Sequence, residues 1–542
     1  MDMGTSGRLS LSWINKDRSL ISTQDGGYEW VDRDDFRVTE TRLLRDVATV
    51  GEVHDDLKRV KDNLLIAGDS GDALRALTRL PEFAKEYRGK VKLVYIDPPF
   101  NTGQAFEHYD DGVEHSVWLT MIRERLLLIC DLLAEDGSVW VHLDDSEMAY
   151  CKVLLDEIFG RSNFVATVVW ETDAGRRNDT AISTVQDYIL VFAKNWNAWR
   201  PTRNLLPRSA DQEKRYKNPD NDPRGPWLQG ADSTAKSGSD AMRYPVTLPS
   251  GRIVTPPSGV YWRFSKENFE RALAEGRVYF GKDGDRMPIV KRYLSEVQAG
   301  VVPRTWWPAA EVGSNMGAKR DHIRKMFPDV PAFATPKPEG LMERVITIAS
   351  NPGDIVLDCF GGSGTTAAVA HKMGRRWVTV EREHTTVETF LRPRLEMVVN
   401  GEEPGGVTTA VGWEKGGGFR CLEVVPSMYE RLGNRVLLAP WAVGDAFAEA
   451  ACAQIPGFEL EPNAEAPFVG RKGRQRLAVV DGLVSEESVQ SIVDALIGDE
   501  RVLIVAKSYL REAARLLEKL SPGSRIKKAP QDLLDMKGRV LR

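Results

Sequence analysis

Cysteine is scarce in this chain of 542 residues, and the few cysteines show no pattern. There are five, an odd number, and they are widely separated without any CxxC pair. Such cysteines are typical of reduced thiols in a cytosol, and they argue against a disulfide framework or a cysteine zinc site. We therefore expect a cytoplasmic protein without a bound metal.

Long apolar runs are also missing. No run approaches the roughly 18 residues that cross a bilayer, and Met1 to Asn15 lack an apolar core of the signal-peptide type. The GxxxxGK(S/T) loop that would bind ATP is absent as well. A hydrophobic content of 42% still supports a large core. We expect a globular protein of roughly three or four domains that does not contact membranes.

Positive charge is concentrated in one segment. The net charge is −5, yet residues 200–330 carry 23 Lys and Arg against 15 Asp and Glu. In or just before this segment lie six of the fourteen tryptophans, Trp196, Trp199, Trp227, Trp262, Trp306 and Trp307. Basic residues mixed with aromatics predict a polyanion-binding surface. A solvated, loop-rich face is the alternative interpretation.

Strand and helix patterns alternate on both sides of this segment. Apolar runs predict strands at 64–69, 91–96, 138–143, 164–170, 188–193, 354–358 and 377–381. Periodic spacing predicts helices at 73–80, 118–133, 339–349 and 367–373, and one capped by Asp145-Ser146 that runs to Phe159. Asp136-Gly137 is predicted to stop the helix at 118–133. A smaller α/β region is predicted from strands at 476–480 and 501–506 and a helix at 508–519.

Asp97-Pro98-Pro99-Phe100 follows the strand at 91–96 directly. In an open α/β sheet, ligands bind at the carboxyl ends of the strands. Two prolines supply carbonyl acceptors but no N–H donors, so the corner is stiff and rich in acceptors. It suits a flat ligand with an exocyclic amine: Asp97 and a proline carbonyl accept its hydrogens while Phe100 stacks on its ring. An ordinary strand end is the alternative.

A glycine loop, residues 360–366, follows the strand that ends at Asp358. Glycines let a backbone approach a nucleotide, and the amino terminus of the next helix offers N–H groups. Glu381 ends the following strand, where an acid would bond ribose hydroxyls. This pattern fits an S-adenosylmethionine enzyme or a dinucleotide enzyme, although the loop is not the GxGxxG fingerprint of NAD.

The two motifs together resemble the amino-group DNA methyltransferases of the β arrangement, and in particular the modification subunits of type III restriction systems. In that family the (D/N/S)PP(Y/F) motif precedes a target-recognition domain, and an FxGxG cofactor loop follows. Stretches such as Tyr95 to Gly103, Asp187 to Lys194 and Gly416 to Arg420 share the likeness, which covers about residues 60–425.

The resemblance implies a role for each candidate site residue. Asp97, Pro98, Pro99 and Phe100 would be catalytic. Cofactor binding would fall to Asp69 near the adenine, Lys337 near the methionine end, Glu381 at the ribose, and Asp358, Phe360, Gly362, Gly364 and Thr365 in the loop.

The resemblance also implies a fold and a division of the chain. The expected fold class is α/β, a doubly wound mixed sheet of the S-adenosylmethionine-dependent methyltransferase type, with an inserted target-recognition domain and a small C-terminal α/β domain. The expected segments are an N-terminal extension (1–45), a catalytic half (46–195), the inserted DNA-binding domain (196–330), a cofactor-binding half (331–400), and a linker with a C-terminal domain (401–542).

The implied function is methyl transfer from S-adenosylmethionine to the N6 amine of an adenine flipped out of double-stranded DNA. A cytosine-N4 methyltransferase is one alternative, and a DNA-binding modification subunit that needs a partner is another. A small-molecule or NAD-type enzyme would leave Asp97-Pro98-Pro99-Phe100 unexplained. A homodimer and a restriction subunit with helicase and nuclease activities are the expected protein partners.

Overall fold

The computed structural model describes the chain except residues 1–8, 24–27, 55–60, 102–104, 107–108, 111–113, 174, 176–180, 229–232, 404, 462–465 and 539–542. The chain forms two compact units. The larger unit combines Met1–Asn204 with Arg304–Arg542, and the smaller unit is Leu205–Pro303. No helix among the described residues is long and apolar enough to span a membrane.

The first part of the larger unit alternates strands and helices. Its strands are β1 (Ser19–Ser22), β2 (Tyr28–Val31), β3 (Leu44–Gly51), β4 (Asn63–Ala67), β5 (Val91–Ile96), β6 (Ala105–Phe106), β7 (Tyr109–Asp110), β8 (Leu133–Leu143), β9 (Phe164–Glu171) and β10 (Gln186–Ala193). Its helices are α1 (Phe36–Thr39), α2 (Ser70–Arg79), α3 (Pro81–Tyr87), α4 (His115–Leu132), α5 (Met148–Leu155) and α6 (Trp196–Thr202).

The smaller unit contains short elements only. They are α7 (Ala210–Glu213), β11 (Tyr216–Lys217), β12 (Trp227–Leu228), β13 (Thr234–Ala235), β14 (Val246–Thr247), β15 (Ile253–Val254), β16 (Tyr261–Trp262), α8 (Lys266–Ala274), β17 (Val278–Tyr279) and β18 (Ile289–Val290). Its strands pair in two-stranded sheets around a core that includes Val246, Trp262 and Phe269.

The second part of the larger unit resumes the alternation. Its strands are β19 (Trp306–Trp307), β20 (Ile355–Asp358), β21 (Arg376–Glu381), β22 (Gly418–Val424), β23 (Tyr429–Leu432), β24 (Arg435–Leu438), β25 (Glu459–Leu460), β26 (Phe468–Lys472), β27 (Gln475–Val484), β28 (Arg501–Tyr509) and β29 (Arg525–Lys528). Its helices are α9 (Ala309–Val312), α10 (Arg324–Met326), α11 (Glu339–Ala349), α12 (Thr365–Lys372), α13 (His384–Thr386), α14 (Arg392–Asn400), α15 (Gly444–Gln454), α16 (Glu486–Asp494), α17 (Arg511–Leu520) and α18 (Gln531–Gly538).

A ten-stranded sheet organises the larger unit, in the order β19-β9-β10-β8-β5-β20-β21-β4-β22-β3. The six strands from β8 to β22 run parallel, while β10 and β3 pair antiparallel to their neighbours. Strand β5 pairs directly with β20, with Val94 opposite Leu357. The two sequence motifs, although far apart in the chain, therefore follow adjacent parallel strands.

The crossover connections lead in opposite directions along the sheet on the two sides of the β5–β20 pair. The crossover through α4 leads from β5 to β8 on one side of the order, whereas the crossover through α12 leads from β20 to β21 on the other. Since parallel crossovers are right-handed, these helices lie on opposite faces of the sheet. The carboxyl ends of β5 and β20 thus flank a topological switch point, which is where open α/β sheets bind ligands. The predicted doubly wound mixed sheet is confirmed.

The described residues before 46 do not extend away from the larger unit. Strand β1 lies against α4, and Ser19 and Val31 are buried. The Phe36 ring packs edge-on against Tyr429 with centroids 5.7 Å apart. Strands β1 and β2 have only four residues each, too few for a hydrophobic pattern to stand out in the sequence.

Two predicted helix boundaries in the catalytic half are wrong. Helix α4 ends at Leu132, before the predicted stop at Asp136-Gly137, because Leu133 already pairs with Val91 in the sheet. Helix α5 begins at Met148 and has no side-chain cap. Ser146 instead turns back to Asp144, its N–H donating to Oδ1 at 2.8 Å.

The carboxyl-terminal region divides differently from the prediction. Strand β22 joins the main sheet beside β4, so the chain remains in that sheet until Val424. A second sheet then forms in the order β25-β26-β27-β28-β29. Strands β27 and β28 and helix α17 confirm the elements predicted in this region, with bounds that differ by a few residues.

The smaller unit lies inside the predicted insert, and it carries less positive charge. Residues 205–303 hold 16 Lys and Arg against 12 Asp and Glu. Most of the tryptophans do not form a surface, because Trp199, Trp227, Trp262 and Trp307 are buried while Trp306 is exposed. The prediction that basic and aromatic residues share one surface is therefore wrong for those four tryptophans, because their rings are buried in cores.

Candidate active site

The corner at Asp97 is held rigidly at the end of β5. Every residue of β5 is buried, and the Trp118 indole N–H donates to the Pro99 carbonyl at 2.6 Å. Trp118 comes from α4, which follows the corner in the chain. The packing of strand and helix therefore fixes the direction in which Asp97 points.

The Asp97 carboxylate pairs with Lys337. The Lys337 ammonium lies 2.6 Å from Asp97 Oδ2 and 5.0 Å from the centroid of the Phe100 ring. The other oxygen, Asp97 Oδ1, is buried and has no hydrogen-bond partner among the described residues. A buried acceptor without a donor is costly, so this oxygen is available for a ligand's N–H.

Lys337 was predicted to serve the cofactor alone, and the structure brings it to the carboxylate that was predicted to be catalytic. It precedes α11, and its side chain is only 7% exposed. Nothing in the spacing of the two residues indicates this contact, since 240 positions separate them in the chain. The pair places one cation between the predicted amine site and the predicted cofactor site.

Phe100 lies against a buried histidine that the sequence analysis did not single out. The His142 ring is stacked on Phe100, with centroids 5.8 Å apart and planes 19° apart. His142 comes from β8, the strand next to β5. A single imidazole within an otherwise apolar strand was the only available signal in the sequence.

The glycine loop leaves β20 and begins α12. Gly362 and Gly364 have φ values of +49° and +80°, in the left-handed region. A Cβ at Gly364 would lie 2.6 Å from the Leu391 side chain. The loop therefore requires glycine at position 364, because of the positive φ and because a side chain there would clash with Leu391. Helix α12 presents its first N–H groups at this edge of the sheet.

Asp358 shapes the loop from within. Its Oδ1 accepts from the Phe360 N–H at 3.0 Å, and its Oδ2 accepts from the Thr366 hydroxyl at 2.6 Å. Burial, reinforced by the charges of Asp97 and Glu381, raises the pKa of Asp358 to about 8 despite those hydrogen bonds. The Phe360 side chain is half-buried against the main core, so both residues support the loop.

Glu381 contacts the loop from β21, and Thr365 links the loop to the segment before α11. The Gly362 N–H donates to Glu381 Oε2 at 2.8 Å, and the Glu383 N–H donates to Oε1 at 2.9 Å. The Thr365 hydroxyl donates to the Lys337 carbonyl at 3.2 Å. The predicted acid at the end of β21 thus lies at the loop, and the loop is tied to the segment that carries Lys337.

Asp69 ends the next strand, β4, and caps α2. Its Oδ1 accepts from the Gly71 N–H at 2.7 Å, and its Oδ2 pairs with Arg125 at 2.9 Å. Burial alone would raise its pKa, but Arg125 and Arg382 hold it below the ordinary value. A cavity of about 240 Å³ lies beside Asp69, lined also by Ile21 of the amino-terminal hairpin.

A buried ionic cluster joins three helices behind the loop, and the sequence analysis missed it. Its members are Glu339 on α11, Lys372 on α12, Arg394 on α14, and Glu403 and His322 from flanking segments. His322, Glu339 and Glu403 are close enough to hold a metal ion. Two cations already neutralise both carboxylates, so the donor set is poorly suited to a metal.

A carboxylate-proline corner and a glycine loop at the switch point of one parallel sheet define the class: this is an α/β methyltransferase. A family model described as DNA methylase (N6/N4 type) matches residues 91–392. The match covers more than half of the 542 residues, and the chain belongs to this family. The cofactor of this class is S-adenosylmethionine, as the resemblance implied.

Modification subunits are among the similar proteins. The chain is 28% identical to the probable type III HindVI Mod subunit of Haemophilus influenzae, over 76% of this chain and 61% of that protein. It is 32% identical to the type III StyLTI Mod subunit of Salmonella typhimurium, over 56% of this chain and 49% of that protein. The chain thus spans about half to three-fifths of the lengths of these relatives.

A solved structure, the cytosine-N4-specific PvuII DNA methyltransferase, is 15% identical over 61% of this chain and 86% of that one, with a TM-score of 0.34.

Proposed function

We propose that this protein is a site-specific DNA methyltransferase that transfers a methyl group from S-adenosylmethionine to the N6 amine of adenine in duplex DNA. The observation that carries the proposal is the pairing of β5 with β20. It sets Asp97-Pro98-Pro99-Phe100 beside the glycine loop at the switch point of the sheet. The amine site and the cofactor site are then neighbours.

The corner supplies acceptors for an exocyclic amine. Trp118 occupies the Pro99 carbonyl, so we assign the Pro98 carbonyl and Asp97 Oδ1 to the two N–H hydrogens of the base. Accepting both hydrogens draws the nitrogen toward sp³ geometry and directs its lone pair out of the ring. Fixed acceptors that meet the charge as it develops stabilise the transition state.

The residues around the loop fit S-adenosylmethionine. The left-handed glycines leave room for a ligand beside the amino terminus of α12. Lys337 offers a cation at the methionine end, and Glu381 an acid for the ribose. The cofactor supplies an electrophilic methyl group, and the chain's part is to hold it in line with the amine at Asp97.

Duplex DNA is the proposed substrate, with the smaller unit as its recognition domain. A base inside a duplex cannot reach a corner enclosed by β5 and α4, so it must be flipped out. Phe100 would then stack on it. Asp rather than Ser at the first motif position favours adenine over cytosine. A homodimer and a restriction subunit remain proposed partners, supported by the likeness to Mod subunits.

Replacing Asp97 tests the catalytic assignment. We expect Asp97→Ala to abolish methylation of DNA while S-adenosylmethionine still stabilises the protein against heat, because the amine loses its acceptor and the loop is untouched. Digestion of the product DNA to nucleosides followed by mass spectrometry gives both the extent of methylation and the modified base.

The control is Asp499→Ala, which removes an exposed acid far from the motifs in the chain and should leave activity unchanged. Methylation by Asp97→Ala at the wild-type rate would contradict the role of Asp97. If the product were N4-methylcytosine, the enzyme would be a cytosine-N4 methyltransferase and the assignment to adenine would be wrong.

A further inference from the structure

His142 is enclosed in the sheet beside the corner, with a partner at each ring nitrogen. Its side chain is fully buried. Nδ1 lies 2.7 Å from the Tyr95 hydroxyl, and Nε2 lies 3.1 Å from Asp187 Oδ2. Tyr95 is on β5 and Asp187 on β10, so the imidazole bridges three adjacent strands.

The partners determine which nitrogen of the neutral ring carries the proton. The Asp187 carboxylate can only accept, so Nε2 carries the hydrogen and Nδ1 accepts from the Tyr95 hydroxyl. Burial raises the pKa of Tyr95 well above 10, which keeps that hydroxyl protonated as a donor. With both nitrogens engaged, the plane of the imidazole is fixed.

The fixed imidazole in turn supports the Phe100 ring. The two rings are nearly parallel, with planes 19° apart. The edge of Trp170 packs against His142, with centroids 5.4 Å apart and planes at 86°. Trp170 is itself anchored, since its indole N–H donates to the Gly313 carbonyl at 3.0 Å. Phe100 thus has a rigid support beneath one face.

We propose that His142 is a positioning residue that sets the plane of Phe100, and through it the plane of the flipped base. This inference rests on the proposed function and names a further residue of the same site. A stacked base is parallel to the aromatic ring beneath it. Tyr95 and Asp187 would therefore fix the plane of the His142 ring, and His142 would fix the plane of Phe100. The plane of Phe100 would in turn orient the base whose amine is held at Asp97.

A purely structural role would not require a polar residue at this position. An apolar side chain of similar size fills a core without the cost of burying an imidazole, a phenol and a carboxylate. The next side chain on the same face of β8, Trp140, is an aromatic ring that is buried in the core. The polar bridge occurs at the position that lies under Phe100.

The test uses His142→Gln and Tyr95→Phe in the full chain. Glutamine offers an acceptor and a donor toward Tyr95 and Asp187 but removes the ring, whereas Tyr95→Phe keeps the ring and removes one bond that orients it. The matched control is His371→Gln, another buried histidine with a partner at each ring nitrogen: the Gly416 carbonyl lies 2.9 Å from Nε2 and the Trp377 indole nitrogen 3.1 Å from Nδ1.

Four measurements separate positioning from folding. They are thermal stability, affinity for duplex DNA, and kcat/KM for methylation together with the fluorescence of 2-aminopurine at the target base. We expect His142→Gln to lower kcat/KM about two- to tenfold, the loss of an aromatic pair, and to reduce the 2-aminopurine signal while DNA affinity holds. Tyr95→Phe should show a smaller change in the same direction.

The proposal would be overturned if His142→Gln and His371→Gln were equally stable and His142→Gln had a kcat/KM no lower than that of His371→Gln. A second measurement needs no DNA. 4-Fluorophenylalanine at position 100 should give a sharp ¹⁹F resonance in the wild type, and a shifted or broadened one with His142→Gln. An identical resonance would refute the support of Phe100 by His142. A wild type that methylates no DNA would instead refute the proposed function, while the fluorine signal still decides the question about His142.

Discussion

At the scale of single residues, the site depends on two carboxylates in contrasting environments, one partly exposed and one buried. Asp97 faces the Lys337 ammonium at 2.6 Å. Asp358, at the end of the adjacent strand, holds the loop through two hydrogen bonds. Burial raises the pKa of Asp358 to about 8, so near neutral pH it retains its proton. Asp358 then adds no negative charge beside Asp97.

Asp358 should make the stability of the protein depend on pH. Between about pH 4 and pH 8 the folded protein keeps a proton that the unfolded chain releases, because the ordinary pKa is 3.8 and the folded value is about 8. The free energy of unfolding should therefore fall as pH rises, by at most about 1.4 kcal/mol per pH unit. Asp358→Asn, which keeps the shape and cannot ionise, should flatten this slope.

Denaturant unfolding followed by tryptophan fluorescence at several pH values measures the effect. Asp354→Asn changes an acid at the start of the same strand that is not buried, and it should keep the wild-type slope. Equal slopes for Asp358→Asn and the wild type would show that Asp358 is ionised in the folded protein.

At the scale of elements, three helices behind the glycine loop are joined by charge. The side chains of Glu339, Lys372, Arg394 and Glu403 are at most 1% exposed. The Arg394 guanidinium also donates to the Thr365 hydroxyl at 2.9 Å, which links the cluster to the loop. No periodicity in the sequence marks these residues, because Glu339, Lys372 and Arg394 lie on three different helices and Glu403 follows α14. Their pairing depends on how α11, α12 and α14 pack.

Breaking this cluster should be costly. Lys372→Met leaves two buried carboxylates with one cation fewer, and removing one partner of a buried ion pair costs about 3–5 kcal/mol. We expect a large fall in the unfolding midpoint and weaker binding of S-adenosylmethionine, measured by thermal shift and calorimetry.

Lys85→Met is the matched control for Lys372→Met. It removes a lysine from an exposed pair with Glu459, for which about 1 kcal/mol or less is expected. If the two variants lost equal stability, the buried cluster would contribute no more than a surface pair.

At the scale of the whole molecule, charge differs between the units. Residues 205–303 have an excess of four positive charges, whereas the complete chain has a net charge of −5. A polyanionic substrate would therefore be attracted to one part of an otherwise acidic protein. Binding through phosphate contacts weakens steeply with salt, because condensed counterions are released.

Three exposed basic residues of the smaller unit provide the test. Replacing Arg215, Lys236 and Lys282 by alanine should weaken DNA binding and lower the slope of log Kd against log salt by up to about 0.9 for each lost phosphate contact. Fluorescence anisotropy at several salt concentrations measures the slope.

The control for this triple variant replaces Arg474, Arg511 and Lys519, which belong to the carboxyl-terminal sheet region, by alanine. It should leave the slope unchanged. If the first variant kept the wild-type slope, or if both variants lowered the slope equally, the result would argue against the smaller unit as the DNA-binding surface.

The sequence by itself determined the elements and the chemistry of the motifs. Strands such as β5 and β20 are short, largely apolar and followed by polar corners, so local patterns suffice to place them and to assign Asp97 and the glycine loop. Pairings that depend on packing were beyond the sequence: Lys337 on Asp97, His142 beneath Phe100, and Arg394 behind Thr365. Each joins residues that are distant in the chain, and only the tertiary structure decides such contacts, because they form where separate elements bury their faces together.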